Sequence, residues 1–184
     1  VSPGLAPDPA LAWALRLAGA GLLLFSAGHK LRSPQGFRAA LEDYGVLPEP
    51  ALSSLVRALP ALEGGIGLGL LAPATARGAA LGAAVLLLGY ALAMGLALAR
   101  GRRGIDCGCA GPAGEQTLAP ALLARNGVLA GLFLLAACGP APRALVPLDG
   151  VTILAGALSL SLLYAASDVA LANRERLARL AERP

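Results

Sequence analysis

Long apolar runs, separated by short polar or glycine- and proline-rich links, set the pattern of this chain. Five of them reach, or nearly reach, the roughly 20 helical residues that cross a bilayer, where about 17–25 are tolerated. They fall at about Leu11–Gly28, Leu52–Ala72, Gly78–Ala99, Leu118–Cys138 and Leu145–Ser167. None shows the period-two alternation of a barrel strand, so all read as helices. The third run is free of charge. The first carries Arg16, the second Arg57 and Glu63, the fourth Arg125 and Asn126, and the fifth Asp149 near its start. The expected fold is all-α: a polytopic transmembrane bundle of four core spans plus a fifth C-terminal one. It takes residues 1–184 as one integral-membrane domain, with a loop over 100–117.

Between the first two runs the period changes. Ser33 followed by Pro34 reads as a helix N-cap and first turn. Phe37, Ala40, Leu41 and Tyr44 then share one face, with Arg38, Glu42 and Asp43 elsewhere, until Gly45 and Pro48 stop the helix. This is a short amphipathic helix for the membrane surface or the mouth of the bundle. The tail "NRERLARLAERP" reads as a basic, amphipathic extension of the fifth span. Gly65/Gly69, Gly78/Gly82 and Gly127/Gly131 have the spacing that lets neighbouring membrane helices approach closely.

Composition agrees with a membrane chain: 57% of residues are hydrophobic and only 14% charged. Aromatic residues are few, leaving Trp13, Tyr44, Tyr90 and Tyr164 as the interfacial candidates. A net charge of +4 fits orientation in a membrane better than nucleic-acid binding, so the bilayer is the expected partner and nucleic acid is not. The first residues, "VSPGLAPDPA", lack a basic segment, which speaks against a cleaved signal peptide. With five spans, Lys30, Arg32, Arg38, Arg100, Arg102, Arg103, Arg174, Arg176, Arg179 and Arg183 fall on one face, and Arg77 and Arg143 on the other. The excess marks the first face, which holds the 100–117 loop, as cytoplasmic.

That loop contains "GIDCGCAGPAGE", with Cys107 and Cys109 one residue apart. Two thiols so close can form a redox pair. A bridge wants Cα atoms about 4.4–6.8 Å apart, so the backbone must bend, which Gly108 permits. Such a strained bond is readily exchanged. Two thiolates would also suit a soft metal, Cu(I), Zn or Hg(II), with His29 as a third ligand. Packing alone is the weakest reading for cysteines in a polar glycine loop. Cys138, at the far end of the fourth span, reads as a buried, inert thiol. His29, Lys30 and Tyr44 emerge on the loop side. Glu63 lies about 16 Å along the second span from that side and Arg125 about 10 Å along the fourth, beside Asn126. Ionisable groups inside a span are functional candidates. The comparable depth and opposite sign of Glu63 and Arg125 predict that they pair.

In order along the chain, "FSAGHKLRSPQGFRAALEDYGVLP", "ALPALEGGIGLGLL", "ARGRRGIDCGCAG" and "LLARNGVL" resemble the methylamine-utilisation protein MauE family, within the DoxX-like group of membrane proteins. The shared pattern covers roughly residues 11–138. It consists of Lys-Leu-x-x-Pro after the first span, Leu-Pro-x-x-Glu in the second, Cys-Gly-Cys, then Arg-Asn. One departure is Ala110, where the family reads Phe. The resemblance implies a multi-pass protein of the bacterial inner membrane that assists maturation of the disulfide-rich small subunit of methylamine dehydrogenase, alongside a thioredoxin-like protein, MauD. It places Lys30, Glu63, Cys107, Cys109, Arg125 and Asn126 at motif positions. The expected function is therefore thiol–disulfide exchange through Cys107 and Cys109 with a thioredoxin-like partner, with a membrane quinone near Glu63 and Arg125 as second acceptor. His29, Lys30, Tyr44, Glu63, Arg125 and Asn126 would support it. The alternatives are a soft-metal binder or carrier using the same thiols, and an assembly factor in which the cysteines are incidental. Periplasmic disulfide work would want the loop outside the cell, opposite to the arginine count.

Overall fold

Proline opens nearly every helix of this chain. It fixes the backbone dihedral that the first helical turn needs, and its missing N–H is unpaired there in any case. The computed structural model describes residues 6–46, 48–102, 104–108 and 116–181, with side chains of the last helix described as far as 174. Within them lie α1 (Pro9–Arg32), α2 (Pro34–Tyr44), α3 (Glu49–Leu71), α4 (Ala76–Ala99), α5 (Pro120–Ala137) and α6 (Pro147–Ala181). All but α2 are long and apolar enough to cross a membrane. No strand occurs among the described residues. The molecule is an all-α, multi-pass membrane bundle, as the hydrophobic pattern requires.

The helices outrun the apolar segments at functionally important ends. α1 continues past Gly28 to Arg32, so His29 and Lys30 are helical. α6 continues past Ser167 to Ala181, which carries Asp168 within the helix. α2 is the expected amphipathic helix, burying Phe37, Ala40 and Tyr44. Gly45 ends it in the left-handed conformation (φ +56°), where glycine has no side-chain penalty.

α1 packs against α3 and α6, and α4 against α5. The core joins Ala20, Ala80, Ala83, Ala84, Ala130 and Ala136 to Leu15, Leu23, Leu70 and Phe133. Small residues let these backbones approach, and close contact must hold the bundle where lipid is as apolar as the core. The glycine pairs picked out by spacing are mostly not the contact points. Gly65, Gly78, Gly127 and Gly131 face open space, and only Gly69 and Gly82 meet a neighbouring helix. Other close approaches between helices are at Gly19, where a Cβ would strike the Phe133 ring, at Gly67 against Leu24, and at Gly156 against Ala14. Spacing puts two glycines on one face without saying which way that face turns. The outward surfaces carry Val85, Leu92, Leu148, Leu154 and Leu163, as lipid contact demands.

The aromatic residues do not form a belt. Trp13 lies under the Arg16 guanidinium at 5.6 Å, Tyr90 under the Lys30 ammonium at 5.0 Å, and Tyr164 under Arg125 at 5.3 Å. Tyr44 is buried. Cations inside the bundle take the ring faces, because a desolvated cation gains more from them than an exposed one does.

On the end away from the loop, Arg143 bridges Asp8 at 3.0 Å and Asp149 at 2.8 Å. Asp8 also caps α1 by accepting from Ala10 N (2.8 Å). The hydrogen bond from Arg143 holds the Asp8 carboxyl below the usual carboxylate range. This cluster ties the start of α1 to the start of α6.

Candidate functional site

The loop after α4 folds back onto the mouth of the bundle. Arg100 donates to the Gly45 carbonyl (2.9 Å) and Arg102 to the Asp43 carbonyl (2.6 Å), at the C-terminal end of α2. Two arginines there also complement the negative end of the helix dipole. The loop then runs antiparallel to the segment leading into α5. Cys107 N donates to Gln116 O and Leu118 N to Ile105 O, both at 2.8 Å. Asp106 pairs with Thr117 in a single bridge. The Asp106 carboxylate accepts from Gly108 N and Gln116 N, both at 3.3 Å. Cys109 lies outside the described residues, so only Cys107 of the pair can be placed.

Cys107 is buried, 6% exposed, in an apolar cluster with Tyr44, Met94, Ala97, Leu118 and Leu122. The Tyr44 hydroxyl donates to the Cys107 carbonyl at 2.8 Å. Gly108 adopts a positive φ of +64°, and a Cβ there would lie 3.1 Å from that of Ala40. A glycine between the cysteines thus satisfies both the backbone turn and the close seat on α2.

Glu63 is 1% exposed and Lys30 4%, and they form an ion pair between α3 and α1. The same carboxylate oxygen, Oε1, accepts from Ser26 Oγ (3.2 Å) and from the Tyr90 hydroxyl (2.8 Å). Lys30 Nζ also donates to Ser26 Oγ, one helical turn earlier, at 3.0 Å. Its ammonium lies 5.1 Å from the centre of the Phe37 ring as well as over Tyr90. Glu63 Oε2 has no hydrogen-bond partner among the described residues. The expected Glu63–Arg125 pair is not formed. Lys30, still helical and one turn beyond Ser26, supplies the counter-ion of Glu63.

Arg125 pairs instead with Asp168 of α6 (2.5 Å). Gln116 joins this second network, donating to the Asp168 carbonyl (2.9 Å) and lying 3.5 Å from Arg125. It therefore links the loop to α5 and α6. Asn126 is buried and turns its amide toward Met94 Sδ (3.7 Å). Ser26, Gln116 and Asp168 were not singled out from the sequence, and Tyr90 was read only as an interfacial aromatic. Ser26 and Lys30 are four apart, which puts them on one helix face. Asp168 fell just outside the apolar run that marked the fifth span.

On the side of the loop, two cavities share Lys30. A small one of about 120 Å³ is lined by Lys30, Phe37, Tyr44, Tyr90, Met94 and Cys107. A larger cleft of about 480 Å³, lined by His29, Lys30, Asp43, Asp106 and Gly108, lies alongside. His29 is exposed and lines only the cleft. Among the described residues no group of three or more His, Cys, Asp or Glu side chains converges as a metal site would require. Cys138 is half-buried at the end of α5, and its thiol donates to the Leu134 carbonyl (3.4 Å).

Fold and site together define a multi-pass membrane protein whose loop cysteine is seated beside a buried lysine–glutamate pair. The family model described as "Methylamine utilisation protein MauE" matches residues 8–139. The chain is 37% identical over 162 residues to a methylamine utilization protein MauE of Paracoccus denitrificans, covering 87% of each chain. It is 34% identical over 164 residues to the one of Methylophilus methylotrophus, covering 88% of this chain and 86% of that one. A third relative carrying that name, from Methylorubrum extorquens, is 36% identical over 149 residues, covering 79% and 80%. No solved structure matches significantly. The chain belongs to the MauE family.

Proposed function

We propose that this protein is a thiol–disulfide redox protein of the bacterial inner membrane, working in methylamine utilisation. It exchanges electrons through Cys107 and Cys109 with a thioredoxin-like, MauD-like partner and so assists maturation of a disulfide-rich enzyme such as methylamine dehydrogenase. The observation that carries this reading is the seat of Cys107. Cys107 is buried at the mouth of the bundle, its backbone is pinned on both sides by Gln116 and Tyr44, and the buried Lys30 lines the same small cavity. A cysteine held for packing alone has no need of a cation nearby, whereas a thiolate does.

Burial divides the labour. A protein partner cannot reach Cys107 in this arrangement, so attack on the partner's disulfide falls to Cys109 and resolution of the mixed disulfide to Cys107. The test is to trap the mixed disulfide. Membranes carrying the Cys107→Ser variant should show a partner-linked species on non-reducing gels. The Cys109→Ser variant should give little or none, and Cys138→Ser should behave as wild type. Absence of any adduct in Cys107→Ser, with full activity in a Cys107/Cys109 double serine variant, would contradict the reading.

A further inference from the structure

The Lys30–Glu63 pair has a property that a merely structural ion pair does not need. Lys30 pairs with one acid and shares a cavity with another. The first is the Glu63 carboxylate, which it contacts directly. The second is Cys107, which also lines the small cavity of about 120 Å³. The Phe37 and Tyr90 rings that flank the ammonium are walls of that same cavity. We propose that Lys30 is a shared counter-ion, and that one proton passes between Cys107 and Glu63 while Lys30 remains charged. This rests on the thiol-exchange reading above and assigns Lys30 and Glu63 as the residues that let the resolving thiol ionise.

The reason is the charge balance of a buried site. Moving the Cys107 proton into water would leave the cluster with one uncompensated negative charge in a low-dielectric surrounding, which is costly. Moving it to Glu63 exchanges one ion pair for another, Lys30 with carboxylate for Lys30 with thiolate. The cluster stays neutral throughout. Glu63 has room for that proton, since Oε2 is buried and has no hydrogen-bond partner among the described residues. Tyr90 and Ser26 hold Oε1, and with it the carboxyl, in place.

The other charged groups near Cys107 are otherwise engaged. Asp106, next to it in the loop, accepts from two backbone amides. From α2, Tyr44 donates to the Cys107 carbonyl, and Asp43 lines the outer cleft with its own carbonyl bound by Arg102. Arg100 is bound to the Gly45 carbonyl. From α1, His29 lines the outer cleft but not the cavity. From α5 and α6, Arg125 and Asp168 answer each other. Among the described cations, Lys30 alone lines the cavity with Cys107.

The resolving step then balances as follows. Cys109 begins bonded to a sulfur of the partner. The Cys107 proton goes to Glu63, and the Cys107 thiolate attacks Cys109 Sγ. The Cys107–Cys109 bond forms as the Cys109–partner bond breaks, and the partner sulfur leaves as a thiolate that takes a proton from water. Over the full exchange two electrons pass from the dithiol to the partner's disulfide. Once Cys107 is neutral in the bridge, Glu63 returns its proton to water and is again the anion of Lys30.

The test needs no partner. In the full-length protein with Cys109→Ser and Cys138→Ser, Cys107 is the sole thiol, and its alkylation by iodoacetamide is followed against pH by mass spectrometry. Adding Glu63→Gln should move the midpoint of the profile to lower pH by about one unit or more, because Lys30 then has only the thiolate as an anion. Adding Lys30→Met should move it to higher pH by a similar amount, and Lys30→Arg should keep it near the parent value. Loss of folding cannot produce opposite shifts. If the Lys30→Met variant does not accumulate, the Glu63→Gln profile decides alone. A midpoint in Glu63→Gln at or above the parent's overturns the proposal. Normal trapping of a partner with no such shift would remove the shared proton and leave thiol exchange standing. The shift without trapping would do the reverse.

Discussion

Replacing Glu63 by leucine while Lys30 stays in place is expected to destabilise the bundle by about 3–5 kcal/mol, the cost of leaving one member of a buried ion pair uncompensated. Both side chains are almost wholly buried, and the carboxylate also gathers the Ser26 and Tyr90 hydroxyls. The loss should therefore reach three of the helices, α1, α3 and α4. Adding Lys30→Met to Glu63→Leu should recover most of the stability, since an apolar pair of similar volume carries no desolvation cost. Denaturant or thermal unfolding in detergent micelles would measure both variants. An equal loss in the single and double variants would show that the pair matters for shape, not charge.

The second large effect should come from Asp168→Leu. It removes the buried counter-ion of Arg125, again at about 3–5 kcal/mol, but at a different place. α6 packs mainly on α1, and Arg125 with Gln116 joins it to α5 and to the loop. The expected result is a lowered unfolding midpoint together with faster protease cleavage in α6 and in the loop. Arg125→Met on the same background should restore the midpoint. If Asp168→Leu leaves both the midpoint and the cleavage pattern unchanged, Asp168 does not hold α6.

Why these pairings were not legible in the sequence follows from helix geometry. The spans were legible because about 20 apolar residues have few other destinations, and α2 because Phe37, Ala40 and Tyr44 repeat at helical spacing. That His29, Lys30 and Tyr44 emerge on the side of the loop was legible too, from the order of the spans. Depth along a span gave Glu63 and Arg125 comparable levels, but pairing depends on rotation about the helix axis, which apolar periodicity fixes poorly when every face is apolar. Mean apolar character also hid the ends. Lys30 looked like a span terminus, yet α1 continues to Arg32 and turns its side chain inward. Asp168 looked like the first residue outside the membrane, yet α6 carries it inside a buried network. The burial of Cys107 had no sequence signal, because polar and glycine neighbours surround it on both sides. It comes from Tyr44, Met94 and Leu122, which only the fold brings together.

The central claim is that Cys107 and Cys109 alternate between dithiol and disulfide. The most direct measurement is their redox state in growing cells. Cells would be quenched in acid and their free thiols labelled with a mass-tagged maleimide. The fraction carrying zero, one, two or three tags would be read in wild type, in Cys138→Ser and in cells lacking the thioredoxin-like partner. The account predicts two populations that differ by two tags, a ratio that shifts when the partner is removed, and a Cys138 tag that is constant. Full labelling in every condition, three tags in wild type and two in Cys138→Ser, would contradict it.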